Sequence, residues 1–214
     1  VISGRRKGEF VAIKCDLEST QENDMSNLSH ECKMLNYLNK KSKGLQFPYG
    51  PQIFWYDVIT EEEDEEESVS TLRIMVMTYY ETSLTEFIHN MPIQDQESYI
   101  LNICMPQMIE AFHYIHELYV IHRDVKPSNF MIRNGKLQLI DFGFATFYVD
   151  GEGNHLPFSS KSNHILGSPN YISIFIHQGS SNTRRDDFIS MAYVLFFYLN
   201  GGGIGDSPSL PWEG

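Results

Sequence analysis

The stretch YVIHRDVKPSNF, residues 119–130, places a cluster of polar side chains of different chemistry between apolar flanks. Within eight positions it holds a histidine, an arginine, an aspartate, a lysine and an asparagine. Charged groups close to Val120, Ile121 and Phe130 lose hydration, and this is costly unless they are paired or hold a ligand. The stretch therefore predicts a functional site.

The composition of the chain is that of a globular protein. Its 214 residues are 42% apolar and 13% aromatic, enough to bury the core of one domain or two small lobes. No apolar run reaches the roughly 18 residues of a membrane span, and the first six residues are not followed by the apolar core of a signal peptide. The three cysteines form no CxxC pair, so we expect buried free thiols. We expect a soluble monomer of the cytoplasm or nucleus, with no membrane partner.

The formal net charge of −12 is concentrated in one segment. The run EEEDEEE at 61–67 supplies seven of the negative charges, and the remainder of the chain is only mildly acidic. Seven like charges in succession repel one another, which predicts a solvated acidic loop. An interaction segment for a basic partner is the alternative. The acidic balance disfavours nucleic acid as a partner.

The first 80 residues are rich in predicted strands. Apolar and β-branched runs indicate strands, and one run with helical spacing indicates a helix. The turn-like segment SGRRKG, residues 3–8, indicates that the strand after it is the second half of a hairpin. The strands are predicted at 10–14, 53–59 and 72–77, and the helix at 24–40 with Asp24 as its N-cap.

From about residue 81 the pattern becomes helical. Residues 97–118 form a long apolar-periodic segment, and Pro106 inside it predicts a kink or break near Met105. Asn134-Gly135 between two short apolar runs is a strong hairpin signal. A final helix is predicted over 184–200. The fold class is therefore α+β, with a strand-rich part at 1–80 and a helical part at 81–214.

Two further motifs flank the opening stretch in the sequence. Downstream, Asp141 ends an apolar strand and begins Asp-Phe-Gly. Upstream, Lys14 ends Val-Ala-Ile-Lys, and Glu31 lies in the following predicted helix. The order of lysine, glutamate, His-Arg-Asp with asparagine five residues after the aspartate, and Asp-Phe-Gly matches the protein-kinase signature set.

Phosphoryl transfer explains why these residue types occur together. Such a site must position a nucleotide and neutralise its charge. Asn129 and Asp141 offer oxygen ligands for Mg²⁺. Lys14 can bind the α- and β-phosphates of ATP, and an ion pair with Glu31 would hold its side chain in place.

Two residues of the opening stretch are candidates for the chemical step. Asp124 can accept or orient the proton of a substrate hydroxyl. Lys126 can contact the phosphate being transferred. The sequence thus predicts Asp124 and Lys126 as catalytic residues.

The second half of the chain resembles the casein kinase 1 family. The resemblance is carried by HRDVKPSNFM at 122–131, GSPNYISIFIHQG at 167–179, SSNTRRDDFISMAYVLFFYLNG at 180–201 and LPWEG at 210–214. It extends from about Val11 to the C-terminus. It implies a two-lobed kinase fold, ATP- and Mg²⁺-dependent phosphorylation of serine and threonine, and protein substrates that are acidic or already phosphorylated nearby.

The resemblance also assigns roles to residues outside the catalytic loop. His122 would pack under the Asp-Phe-Gly segment, and Asp187 would support the catalytic loop. Met77 would be the gatekeeper of the nucleotide site. The hinge, which meets adenine through backbone groups, would comprise Thr78, Tyr79, Tyr80 and Glu81.

Some features depart from the family pattern. No GxGxxG loop is present, and the sequence stops before the remaining C-terminal helices, so we expect a fragment truncated at both ends. Asn170 stands where the family carries an arginine that binds a substrate phosphate, which weakens recognition of such a phosphate. Arg184 and Arg185 could partly replace it. An active kinase and a non-catalytic nucleotide-binding pseudokinase or scaffold both remain as hypotheses.

Overall fold

The chain divides into two units, Val1–Tyr80 and Glu81–Gly214. The computed structural model describes residues 2–19, 27–42, 47–62, 69–159, 165–202 and 210–212. The first unit is built mainly of strands and the second mainly of helices, which confirms the predicted α+β class.

An antiparallel sheet forms most of the first unit. Its four strands follow the spatial order β1-β2-β4-β3. The turn between β1 and β2 lies at Lys7-Gly8, where both residues have positive φ (49° and 88°), so most of the predicted turn segment 3–8 belongs to a strand instead. The four strands are β1 (Ile2–Arg6), β2 (Glu9–Ser19), β3 (Ile53–Glu62) and β4 (Val69–Thr78).

One helix covers this sheet. Helix α1 (Asn27–Lys41) packs against β3 and β4, and its residues Leu35 and Leu38 are fully buried. The fully buried Met75 comes from β4. The predicted helix is confirmed, whereas its predicted N-cap Asp24 and the acidic run after Glu62 lie outside the described residues.

The second unit combines five α-helices with short strands in its described part. Strands β5, β7 and β8 form one sheet, and β6 pairs with β9. The helices are α2 (Leu84–His89), α3 (Ile93–Tyr99), α4 (Met105–Glu117), α5 (Ile174–His177) and α6 (Arg184–Leu199). The strands are β5 (Thr82–Ser83), β6 (Val120–Ile121), β7 (Phe130–Arg133), β8 (Lys136–Leu139) and β9 (Thr146–Phe147).

Near Met105, where the sequence predicted a kink or a break, the chain stays helical and the helix type changes instead. A π-helical turn, Ile100–Cys104, joins α3 to α4, and Pro106 lies in the first turn of α4. Proline has no N–H to donate to the preceding turn, and its ring crowds the carbonyl four residues earlier. Widening the helix just before the proline accommodates both effects.

The Asn134-Gly135 hairpin is also confirmed. Both residues have positive φ, 52° and 73°, as a two-residue hairpin turn requires. Phe130 pairs with Leu139 at the far end of the two strands. The residue before β7, Asn129, therefore lies beside the residue after β8, and the Ile140 N–H donates to the Asn129 carbonyl at 2.9 Å.

Helices α4 and α6 share the core of the second unit. The ring of Phe112 lies 6.1 Å from Phe188 and 6.4 Å from Phe130, in edge-on arrangements that aromatic pairs favour. Thr183 and Asp186 form a capping box that fixes the start of α6. Within the described ranges, no helix is long and apolar enough to cross a membrane.

Two positions on α4 test this packing. Phe112 is completely buried, whereas Ile109, three residues earlier, is 41% exposed. We expect Phe112→Ala to lower the free energy of unfolding by about 3–5 kcal/mol, since it removes the ring and leaves a cavity. Ile109→Ala serves as the control and should cost less than about 1 kcal/mol. Urea denaturation followed by circular dichroism measures both, and equal losses would contradict the described packing.

Candidate active site

The backbone of the HRD loop, residues 122–129, is held by the carboxylate of Asp187. Its Oδ2 accepts the N–H of His122 at 2.9 Å, and its Oδ1 accepts the N–H of Arg123 at 3.0 Å. Nε2 of the buried His116 lies 2.8 Å from the same Oδ2. A carboxylate buried this deeply needs several such donors to offset its lost hydration. The expectation that Asp187 supports the loop is confirmed.

Arg123 occupies a strained backbone conformation in this loop. Its φ is 68°, a value that non-glycine residues adopt rarely and that here is held by the bond to Asp187. The side chain turns inward, and its Nε donates to the Phe144 carbonyl at 2.6 Å. Burial lowers the pKa of the Arg123 guanidinium and the Asp187 charge opposes this, but an arginine keeps its proton at any physiological pH.

His122 packs against the Asp-Phe-Gly segment, as expected. Its ring lies 4.9 Å from the ring of Phe142, and Nε2 lies 3.1 Å from the Ile140 carbonyl. Nδ1 accepts the N–H of Asp124 at 3.3 Å, so Nδ1 carries no proton and Nε2 is the donor. Burial lowers the pKa of His122, and the bond to Nδ1 agrees with a neutral ring.

Asp124 is buried, and both of its carboxylate oxygens have partners. Oδ1 accepts the N–H of Ser168 at 3.0 Å and its hydroxyl at 2.9 Å. Oδ2 pairs with the Lys126 ammonium group at 2.8 Å and lies 3.4 Å from the amide nitrogen of Asn129. The structure thus brings the predicted Asp124, Lys126 and Asn129 into direct contact.

The residues predicted to hold a metal come from the two ends of one hairpin. Nδ2 of Asn129 donates to the Asp124 carbonyl at 2.8 Å, which fixes the orientation of this amide. Asp141 follows β8 with a left-handed φ of 65°, and Ile140 before it is bonded to Asn129. An amide oxygen and a carboxylate from adjacent strand ends fit the oxygen ligands that Mg²⁺ prefers.

The first unit contains the other predicted charge pair. The Lys14 ammonium group lies 2.6 Å from Oε2 of Glu31, which is buried on α1. Lys14 faces Met75 across the β2–β4 pair, so the lysine extends from the centre of the sheet. The ion pair expected from the sequence is present and fixes the end of a flexible side chain.

The predicted gatekeeper and hinge residues lie at the end of β4. Met77, Thr78 and Tyr80 are buried, and the ring of Tyr79 lies 5.7 Å from that of Phe10. The Thr78 N–H donates to the Gln52 carbonyl, and its hydroxyl oxygen accepts the Gln52 N–H, both at 3.0 Å. Thr78 therefore ties β4 to the start of β3.

Two residues that shape this site, Ser168 and His116, were not predicted from the sequence. Ser168 lies 44 positions from Asp124, and nothing in the Gly-Ser-Pro segment signals a contact at that distance. His116 lies 71 positions from Asp187. Its place one turn after Phe112 on the buried face of α4 was a signal for burial, although not for its partner.

A comparison with protein-family models supports the combined pattern. The protein kinase domain model matches residues 1–204. The matched range includes Lys14, Glu31, the HRD loop and Asp141 in the order in which the sequence presents them. The match covers nearly the whole chain and extends over both units.

The neutral His122 ring predicts a dependence of stability on pH. Because its folded-state pKa lies below the usual value near 6.5, the unfolded chain takes up a proton first as the pH falls. The stabilisation that the neutral His122 ring contributes is complete above about pH 6.5 and is lost as the pH falls toward the folded-state pKa. We expect the free energy of unfolding to fall more steeply between pH 6.5 and 5 than in His122→Gln, by up to about 1.4 kcal/mol per pH unit. Urea denaturation at a series of pH values measures this, and equal slopes would contradict it.

Proposed function

Because this chain belongs to the protein kinase family, we propose that it is an active casein kinase 1-like enzyme that transfers the γ-phosphate of ATP to serine and threonine in acidic proteins. Protein kinases in general use ATP and Mg²⁺. The observation that carries the proposal is the set of contacts around Asp124. An active enzyme requires this aspartate to be held in one orientation, and these contacts hold it so.

Asp124 is the proposed acceptor of the substrate proton. The Ser168 hydroxyl at 2.9 Å from Oδ1 shows that this carboxylate can accept from an aliphatic hydroxyl group. A substrate serine or threonine offers the same donor. Asp124 would orient that oxygen for attack and take its proton as the bond to phosphorus forms.

Lys126 and the hairpin ends supply the remaining groups of the second unit. Lys126 lies 2.8 Å from Asp124, and 28% of its side chain is exposed, so it is proposed to contact the phosphate in transfer. Asn129 and Asp141 are the proposed metal ligands. Bound Mg²⁺ neutralises charge on the β- and γ-phosphates.

In the first unit, Lys14 is the proposed ligand of the α- and β-phosphates, positioned by Glu31. Met77 is the proposed gatekeeper, and Tyr79 and Tyr80 are the proposed adenine contacts. Thr78 belongs to this hinge by resemblance, although its backbone N–H already donates to Gln52.

Substrates are proposed to be acidic and not to depend on a neighbouring phosphate. Asn170 has no charge, and its carbonyl accepts the indole N–H of Trp212 at 2.8 Å. Arg185 is already paired with Asp186 at 3.1 Å, while Arg184 lies over the Tyr148 ring with no carboxylate partner among the described residues. Arg184 is therefore the better placed cation for an acidic substrate.

The proposal is tested by the transfer of labelled γ-phosphate from ATP to casein with magnesium present. We expect Asp124→Asn to lower the rate by about 10²–10⁴-fold, because it removes the proton acceptor. Asp95→Asn is the matched control, since Asp95 is exposed on α3, and its rate should equal that of the parent.

Two results would contradict the proposal. Equal rates for the parent and Asp124→Asn would show that this carboxylate does not carry the chemistry. No transfer from a folded parent that binds ATP would favour the pseudokinase or scaffold hypothesis.

A further inference from the structure

Strand β2 carries charged residues on one face of the sheet and apolar residues on the other. Lys14 and Asp16 alternate along it with Ile13, Cys15 and Leu17. Successive side chains of a strand point to opposite faces of its sheet. Because Lys14 forms its ion pair with helix α1, it lies on the face that α1 covers. The alternating apolar residues therefore lie on the opposite face, away from that helix.

The strand register continues this apolar surface across β4 and β3. Leu17 pairs with Leu72, and Leu72 pairs in turn with Ile59. Asp57 shares this face but lies on the edge strand β3, where it is exposed to water. We call this surface the exposed sheet face, and its apolar members are Ile13, Cys15, Leu17, Trp55, Ile59, Leu72, Ile74 and Val76.

Several large apolar side chains of this face are in contact with solvent. Leu17 is 69% exposed, Trp55 is 46% exposed and Ile59 is 43% exposed. Ile2, which pairs with Ile13 from the neighbouring β1, is 65% exposed. An antiparallel sheet with one solvated face usually carries polar side chains on that face. A contiguous apolar patch instead marks a surface that contacts another molecule.

The two ends of the sheet carry opposite charge. The turn between β1 and β2 presents Arg5, Arg6 and Lys7, all of them exposed. Strand β3 leads into the acidic run 61–67. Because neighbouring strands are antiparallel, the basic turn and the start of the acidic run lie at opposite ends of the sheet. Strand β2 spans eleven residues, so the two ends lie roughly 30 Å apart.

This charge distribution is complementary to itself. When two copies of the sheet pack face to face about a two-fold axis perpendicular to the strands, the basic turn of each meets the acidic end of the other. An axis parallel to the strands would bring the two acidic ends together, and like charges across an interface are unfavourable. We propose that the exposed sheet face binds a second copy of this chain in the antiparallel arrangement. This association is separate from phosphoryl transfer and does not rest on it.

The proposed arrangement places the middle of each β2 close to the two-fold axis. Packed sheets lie about 10 Å apart, so the Cys15 side chains of the two copies point toward each other across the interface. Cys15 is the exposed cysteine of the chain, whereas Cys32 and Cys104 are buried. The sequence alone predicted a monomer, because this face can be recognised only from the strand register.

The first test measures self-association of the whole chain by sedimentation equilibrium over a concentration series. We expect a reversible dimer that Ile59→Glu weakens at least about tenfold, since the variant places an unpaired charge in the interface. Val58→Glu is the matched control. Val58 precedes Ile59 on β3, is 44% exposed and points to the opposite face, so this variant should dimerise as the parent does. Circular dichroism verifies that both variants fold.

The second test addresses the charges. Reversal of the basic turn in the double variant Arg6→Glu and Lys7→Glu should weaken the dimer at least about tenfold at low salt. Arg133→Glu with Lys136→Glu is the control, because it makes the same change in net charge on an exposed hairpin of the second unit and should have little effect. Added salt should weaken the parent dimer, since it screens the attraction between the two ends.

The third test uses the exposed cysteine. A short bismaleimide should join two parent chains through Cys15, and Cys15→Ser should abolish this product while the chain still dimerises. An associated parent that gives no such product would contradict the antiparallel arrangement.

Four further results would overturn the inference. They are a parent that stays monomeric at every concentration, equal dimerisation of Ile59→Glu and Val58→Glu, a Cys15 that fails to react with a monofunctional maleimide in a monomer, and binding of polylysine without self-association. The third would show that the chain covers this face itself, and the fourth would identify a basic partner. A dimer that transfers no phosphate would support the interface and contradict the proposed function alone. An active monomer would overturn the interface alone.

Discussion

The buried carboxylate of Asp187 is the constraint on which the second unit depends most. It receives the N–H groups of His122 and Arg123, and Nε2 of His116 lies at hydrogen-bond distance. Hydrogen bonds to a charged group contribute about 1.5–3 kcal/mol each, and a buried carboxylate without them would be strongly unfavourable. One side chain on α6 thereby ties that helix to α4 and to the HRD loop. The unusual φ of Arg123 follows from this attachment.

From that attachment the geometry of the site follows in steps. His122 is fixed at its backbone by Asp187, and its ring then contacts Ile140 and Phe142 at the start of the Asp-Phe-Gly segment. The β7–β8 hairpin brings Asn129 to Ile140 from the other side. The backbone N–H of Asp124 donates to Nδ1 of the His122 ring. The proposed proton acceptor and metal ligands are thus positioned partly by Asp187 and His122, which take no part in the chemistry.

Much of this could be predicted from sequence because the signals are local. Asn134-Gly135 determines a turn through the φ values that only such residues adopt easily, and the spacing of Leu35 and Leu38 determines which face of α1 is buried. The order of motifs from Lys14 to Asp141 indicated the chemistry, and the Lys14–Glu31 ion pair appeared as expected.

The features that were missed all depend on contacts between distant parts of the chain. Ser168 reaches Asp124 across 44 positions, and the lining of a pocket beside Arg123 comes from five separate segments. No periodicity or turn preference encodes such contacts. Similarly, residues 3–8 contain the glycine and basic residues of a turn, yet only Lys7-Gly8 form it, because Ile2–Arg6 pair with β2 along their whole length.

The Asp187 carboxylate holds the HRD loop in the form that positions Asp124. Amide hydrogen exchange, measured residue by residue in the parent and in Asp187→Asn, tests it most directly. We expect protection of the His122 and Arg123 amides to fall at least about tenfold in Asp187→Asn, while the β7–β8 amides keep theirs. Unchanged protection of His122 and Arg123 in a folded Asp187→Asn variant would contradict it.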